Sequence, residues 1–148
     1  MSNIRLNPYT AAPKAVNAML HVSKFVENCG LERSLLELVK TRASQINGCA
    51  YCIHMHVTDA LKHGESAMRL HLLPAWREST LYSAREQAAL AWTEALTNLP
   101  DTGAPDADYE QIAQHFSPEE QVNLTLAITV INSWNRIAVG FRSQHPQE

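Results

Sequence analysis

RASQINGCAYCIHMH, residues Arg42 to His56, gathers most of the reactive side chains of the chain, among them Cys49, Cys52 and His56. Two thiols three apart and an imidazole four further on fall within about 60° of arc at 3.6 residues per turn, so one helix shows all three on one face. Cys52 and His56 are then i,i+4 neighbours, about 5–6 Å apart at Cβ. Cys49 sits one turn earlier, near the helix start that Asn47-Gly48 implies. Two thiols and a base on one helical face form a redox arrangement.

Working outward, helical periodicity dominates and no run alternates apolar and polar residues. A short extended arm (Ile4, Leu6, Pro8, Tyr9) precedes a helix opened by Pro13 and stopped by Cys29-Gly30. A second helix runs from about Leu31 to Ile46, and the thiol helix follows to His63-Gly64. Ser66 to Leu73 reads as a short helix closed by Pro74, and Pro74 to Tyr82 as a loop that could line a pocket mouth. Ser83-Ala84-Arg85-Glu86 is a capping box opening a helix to about Thr97. Asn98 to Pro105 reads as a linker and Asp106–His115 as a short helix. Ser117-Pro118-Glu119-Glu120 combines an N-cap, Pro at N1 and acids in the first turn. The helix it opens, to about Val139, is apolar on several faces (Val122, Leu126, Ile128, Val130, Ile131, Ile137) and is expected at the centre. The expectation is an all-α single domain over residues 1–148.

Composition narrows the functions available. A chain of 148 residues with net charge −3 and pI near 6.1 has no basic run to attract nucleic acid. No apolar stretch approaches the roughly 18 residues a membrane span needs, and the N-terminal residues do not resemble a signal peptide. Three cysteines do not make a secreted disulfide framework, so a cytoplasmic location is expected, where a CxxC is catalytic or metal-binding.

A peroxide-reducing thiol must be ionised, since the thiolate is the nucleophile and a free Cys titrates near about 8.5. The helix N-terminus offers partial positive charge to Cys49, whereas His56 can take a proton from Cys52. Glu37 enters by geometry. If the two helices fold back at Asn47-Gly48, Glu37 stands about 15 Å and His56 about 12 Å above the turn, at similar heights on neighbouring helices. A Glu–His–Cys relay follows if Glu37 faces inward; Thr41 and Ser44 share its polar face, which could equally face solvent. Once peroxide has made a sulfenic acid on one Cys, the other condenses with it to a disulfide, which an external dithiol reduces.

Two other uses of these residues compete. Cys49, Cys52 and His56 could hold zinc, although a structural site wants four ligands and no second Cys/His pair sits at conventional spacing. They could also be small core residues. His54 points away from the thiols, Cys29 has no partner in the sequence, and the remaining histidines form no ligand spacing. Trp76, Trp92 and Trp134 read as core or subunit-contact residues.

Glu37, Arg42, Ser44, Asn47, Cys49, Cys52 and His56 together resemble the core of the alkylhydroperoxidase AhpD, within the carboxymuconolactone decarboxylase-like superfamily, without a substitution at any of those positions. Tyr82–Glu86 and Ile131–Arg136 are similar to later helices of that family, so the resemblance spans about residues 31–136. It implies an AhpD-like bundle of about six helices, assembled as a homotrimer or hexamer. It implies a peroxidase with Cys49 and Cys52 as the redox pair, Glu37 and His56 as the proton relay, and no cofactor or metal. The substrate would be a hydroperoxide and the reductant a lipoyl- or thioredoxin-type dithiol, with no nucleic acid or membrane as partner. Cys52 is assigned as peroxidatic because His56 is nearest to it, and Cys49 as the more exposed resolving thiol; the helix dipole argues for the opposite order. A lactone decarboxylase on the same fold and a metal-binding or redox-sensing module are the alternatives.

Overall fold

The computed structural model describes residues 3–147. The helices are α1 (Pro8–Ala11), α2 (Pro13–Glu27), α3 (Arg33–Ile46), α4 (Ala50–Lys62), α5 (Ala67–Leu72), α6 (Ala84–Thr97), α7 (Leu99–Thr102), α8 (Asp106–His115) and α9 (Pro118–Phe141), with a 3₁₀ turn at Leu73–Ala75. No strand occurs among the described residues, and no described helix is long and apolar enough to cross a membrane.

The helix count exceeds the expected six because single turns carry no periodicity to read. α1 replaces part of the expected extended arm: Pro8 stands at its start and the Asn7 side chain accepts the Tyr9 N–H at 2.9 Å. α7 forms within the expected linker and ends where Gly103 takes φ +63°.

α3 shares the centre with α9, which itself packs against α2, α3, α4, α6 and α8. α3 packs against α4, α6 and α9 at once, and it buries Leu35 to Val39 without a break, then Thr41, Ala43 and Ser44. α9 buries Leu124, Ala127, Ile128, Ile131, Asn135 and Ala138, the i,i+3/i+4 stripe of a one-faced helix. Its other side is wet: Val122 is 67% exposed.

Small residues explain how closely the elements approach. Ala88 and Ala89 of α6 join Leu35, Leu36 and Val39 of α3 and Leu124 and Ile128 of α9 in the main core. Leu38 meets Leu70, Leu73, Trp76 and Leu90 in a second cluster. The thiols lie in a third, with Ala43, Ile131 and Ala138.

Both capping boxes are reciprocal. Ser83 Oγ accepts the Glu86 N–H at 3.2 Å while Glu86 accepts the Ser83 N–H at 2.8 Å; Ser117 and Glu120 repeat the pattern with the same distances. Such caps stabilise a helix by about 1 kcal/mol. Arg85 ties the second box to the rest, pairing with Glu120 and with Glu32 at 2.8 Å each.

Candidate active site

α3 ends at Ile46, and the chain reverses through Asn47 and Gly48, of which only Gly48 is left-handed, at φ +65°. The turn is knitted to α9 by amides. Asn47 Nδ2 donates to Asn132 Oδ1 and Asn135 Oδ1, both at 2.9 Å. Asn135 Nδ2 donates to Ser44 Oγ at 3.0 Å, and Ser44 Oγ donates to the Lys40 carbonyl at 2.7 Å. The Ser44 carbonyl accepts the Cys49 N–H at 3.0 Å. Arg42, on another side of α3, reaches Glu94 of α6 at 2.8 Å; Glu94 also accepts the Trp76 indole N–H at 2.9 Å.

Cys49 is the N-cap of α4, its sulfur accepting the Cys52 N–H at 3.3 Å. The two cysteines are joined as a disulfide, with Cα atoms 5.3 Å apart. Cys49 is 1% exposed and Cys52 2%, so Cys49 is not the more exposed thiol. As a cap it folds back over its own helix start, against Ala43, Ile131 and Ala138.

Glu37 faces inward. Its Oε2 lies 2.9 Å from His56 Nδ1 and its Oε1 3.5 Å from Lys40 Nζ, and both Glu37 and His56 are buried. Burial pushes the Glu37 carboxyl up, but the His56 hydrogen bond and the Lys40 charge outweigh it and hold the group below the ordinary carboxylate range. An ionised carboxylate has no proton to give, so His56 Nδ1 carries the hydrogen of this bond, and Nε2 is an acceptor whenever the ring is neutral.

A cavity of about 370 Å³ adjoins this group, within the range of small-molecule sites. Cys52, His56 and Lys40 line it and Cys49 does not. Its remaining wall is mostly apolar: Tyr51 and Met55 of α4, Ile131 and Trp134 of α9, Leu20 of α2, and the arm through Ile4, Leu6 and Tyr9. Residues 74–82 do not line it, contrary to the expectation for that loop; Trp76 instead packs into the second core cluster. Sequence reasoning missed Lys40, whose i,i+3 spacing from Glu37 was the available clue. It also missed the arm, for which no local pattern exists.

The other candidates fall elsewhere. His54 stacks on His145, ring centroids 5.3 Å apart. Cys29 is a free, half-buried thiol beside the main core. Trp92 is in that core, and Trp134, in the cavity wall, donates to Ser23 at 2.7 Å. Among the described residues no three His, Cys, Asp or Glu side chains cluster as metal ligands would.

An all-helical bundle that sets a CxxC pair at a helix start, with a Glu–His pair beside it, defines an AhpD-like protein. Residues 10–95 match the carboxymuconolactone decarboxylase family, and the chain belongs to it. It is 42% identical over 135 residues to the uncharacterized protein YdfG of Bacillus subtilis, covering 91% of this chain and 92% of that one. It is also similar to the crystal structure of ATU0492 from Agrobacterium tumefaciens, a protein of unknown function described as a candidate antioxidant defence protein AhpD. There the TM-score is 0.96 and the identity 47%, over 99% of this chain and 100% of that one. The AhpD core of a peroxidase-related protein from Ralstonia eutropha shares the fold at TM-score 0.82 and 16% identity, over 94% of this chain and 74% of that one.

Proposed function

We propose that the protein is a thiol-dependent peroxidase of the alkylhydroperoxidase type, cycling Cys49 and Cys52 between dithiol and disulfide. The observation that carries this reading is the disulfide whose Cys52 end lines the cavity beside His56, itself bonded to Glu37.

In the reduced protein His56 Nε2 accepts the Cys52 proton, with Glu37 steadying the imidazolium. The Cys52 thiolate attacks the distal oxygen of the hydroperoxide. The O–O bond breaks, Cys52 becomes a sulfenic acid, and the alkoxide leaves as alcohol with the proton from His56. The Cys49 thiol then attacks the sulfenic sulfur, forming the disulfide and releasing water. An external dithiol of lipoyl or thioredoxin type returns both thiols by exchange and is itself oxidised to a disulfide. Cys52 is the peroxidatic residue because it, and not Cys49, meets the cavity. We further propose that the protein works in the cytoplasm as a homotrimer or hexamer.

A lactone decarboxylase would need a cation free to bind the substrate carboxylate. Among the described residues Lys40 is the one Lys or Arg in the cavity wall, and it is paired with Glu37. A zinc or redox-sensing module remains the reading to beat. The test is thiol counting by mass spectrometry before and after one equivalent of an organic hydroperoxide, with zinc quantified in the same sample. Loss of two thiols to a Cys49–Cys52 disulfide, without zinc, is expected. Cys52→Ser abolishes turnover with peroxide, and His56→Ala slows it about 100-fold or more, as loss of a general base does. Stoichiometric zinc, or full turnover in Cys52→Ser, would overturn the proposal.

A further inference from the structure

Lys40 takes no part in the cycle above, yet its ammonium stands in the cavity wall 3.5 Å from the carboxylate that orients His56. The side chain is well buried, 13% exposed, and Glu37 is more so, at 7%. A carboxylate taken out of water needs a counter-charge or it protonates. If His56 were the sole partner, that counter-charge would have to be the imidazolium, and an imidazolium cannot accept a proton from Cys52. The two carboxylate oxygens are in fact divided, Oε1 to Lys40 and Oε2 to His56.

We infer that Lys40 is a positioning residue that keeps Glu37 ionised while His56 stays a neutral base. The inference rests on the reading of Cys52 as nucleophile with His56 as its base. With Lys40 charged, the resting group of Glu37 carboxylate, Lys40 ammonium, neutral His56 and Cys52 thiol sums to zero. Moving the Cys52 proton to His56 Nε2 makes a thiolate and an imidazolium, and the sum is still zero. Thiol activation then proceeds inside the protein without importing or expelling a charge.

The test follows alkylation of Cys52 by iodoacetamide in the fully reduced, full-length protein, read on the Cys52 peptide by mass spectrometry across pH. Without Lys40, Glu37 takes up its proton at higher pH and the imidazolium–thiolate pair loses support. Lys40→Met should displace the acid limb upward by about one pH unit, a roughly tenfold slower reaction at a pH on that limb. Lys40→Gln removes the charge while keeping polarity and gives the same comparison if the Met variant does not fold. Lys40→Arg should stay within about twofold of the parent, since it keeps the charge. In a Glu37→Gln background Lys40→Met should add nothing, because the effect runs through the carboxylate.

A Lys40→Met profile superimposed on the parent overturns the inference, as does an equal shift in Lys40→Arg or an undiminished shift in the Glu37→Gln background. Failure of the peroxidase reading looks different: the thiols would alkylate with the Lys40-dependent limb and yet ignore hydroperoxide.

Discussion

Asn135→Ala tests whether the amide network holds the thiol turn in place. Asn135 is 1% exposed and bonds Asn47 at 2.9 Å and Ser44 at 3.0 Å, so it joins α9 to the last turn of α3 and to the start of the reversal. Two buried hydrogen bonds contribute about 1 kcal/mol each. Removing the amide also leaves about 25 Å³ unfilled, which at about 24 cal/mol per Å³ adds about 0.6 kcal/mol. Neither partner is wholly orphaned, since Asn47 keeps Asn132 and Ser44 keeps the Lys40 carbonyl. The expected loss is therefore about 2.6 kcal/mol. The assay is urea unfolding of the oxidised protein. With a slope of about 2 kcal/mol per M, the midpoint should fall by about 1.3 M. Ser133→Ala is the control on the same helix, because among the described residues Ser133 bonds only the Thr129 carbonyl one turn back, and it should change stability by less than about 0.5 kcal/mol. A midpoint shift for Asn135→Ala no larger than the control's would refute the reasoning and show that the Asn135 amide does not help to seat the turn.

Three further perturbations separate other parts of the argument. Thr41 is fully buried and its Oγ1 has no hydrogen-bond partner among the described residues, so Thr41→Val should leave stability unchanged or raise it by about 1 kcal/mol; a clear fall in melting temperature would mean that the hydroxyl is bonded in solution. Gly48→Ala should cost about 1–2 kcal/mol through the left-handed backbone alone, since an added Cβ at φ +65° meets nothing within 4 Å; an unchanged melting temperature would contradict that. The Glu37 carboxyl is depressed in the folded chain. It therefore contributes stability above its unfolded value of about 4.3 and loses it as pH falls through the lower folded value. The parent should melt above Glu37→Gln at pH 7 and converge on it during acidification, and a gap that widens in acid would reverse the sign of the argument.

Much of this was legible locally. The capping boxes at Ser83 and Ser117 were readable because each is completed within four residues. The matching heights of Glu37 and His56 follow from helix rise counted on both sides of Asn47-Gly48, whereas the inward direction of Glu37 is set by packing. What failed depended on neighbours far away in sequence. Apolar residues on several faces of α9 mark a central helix, and it does pack against five others, but α3 shares that place and Val122 is left in water. Cys49 is assigned as the more exposed thiol, yet it is buried in a cluster to which α9 supplies Ile131 and Ala138. The single turns α1 and α7 are set by caps and prolines over four residues each, too short for any period to register.

The arm meets the far end of the chain: the Arg5 N–H donates to the Phe141 carbonyl at 3.1 Å and its guanidinium to the Gly140 carbonyl at 3.2 Å. Ile4, Leu6 and Tyr9 on this arm line the cavity and precede the stretch that matches the family. Part of the cavity wall is thus written in a stretch of chain separate from the reactive groups, while Tyr51 and Met55 supply another part from among them. Substitutions at Ile4, Leu6 and Tyr9 can reshape the cavity while the thiols, the imidazole and the carboxylate keep their places. Diversification of such a protein has a cheap route, in which the chemistry is inherited and the guest list is rewritten.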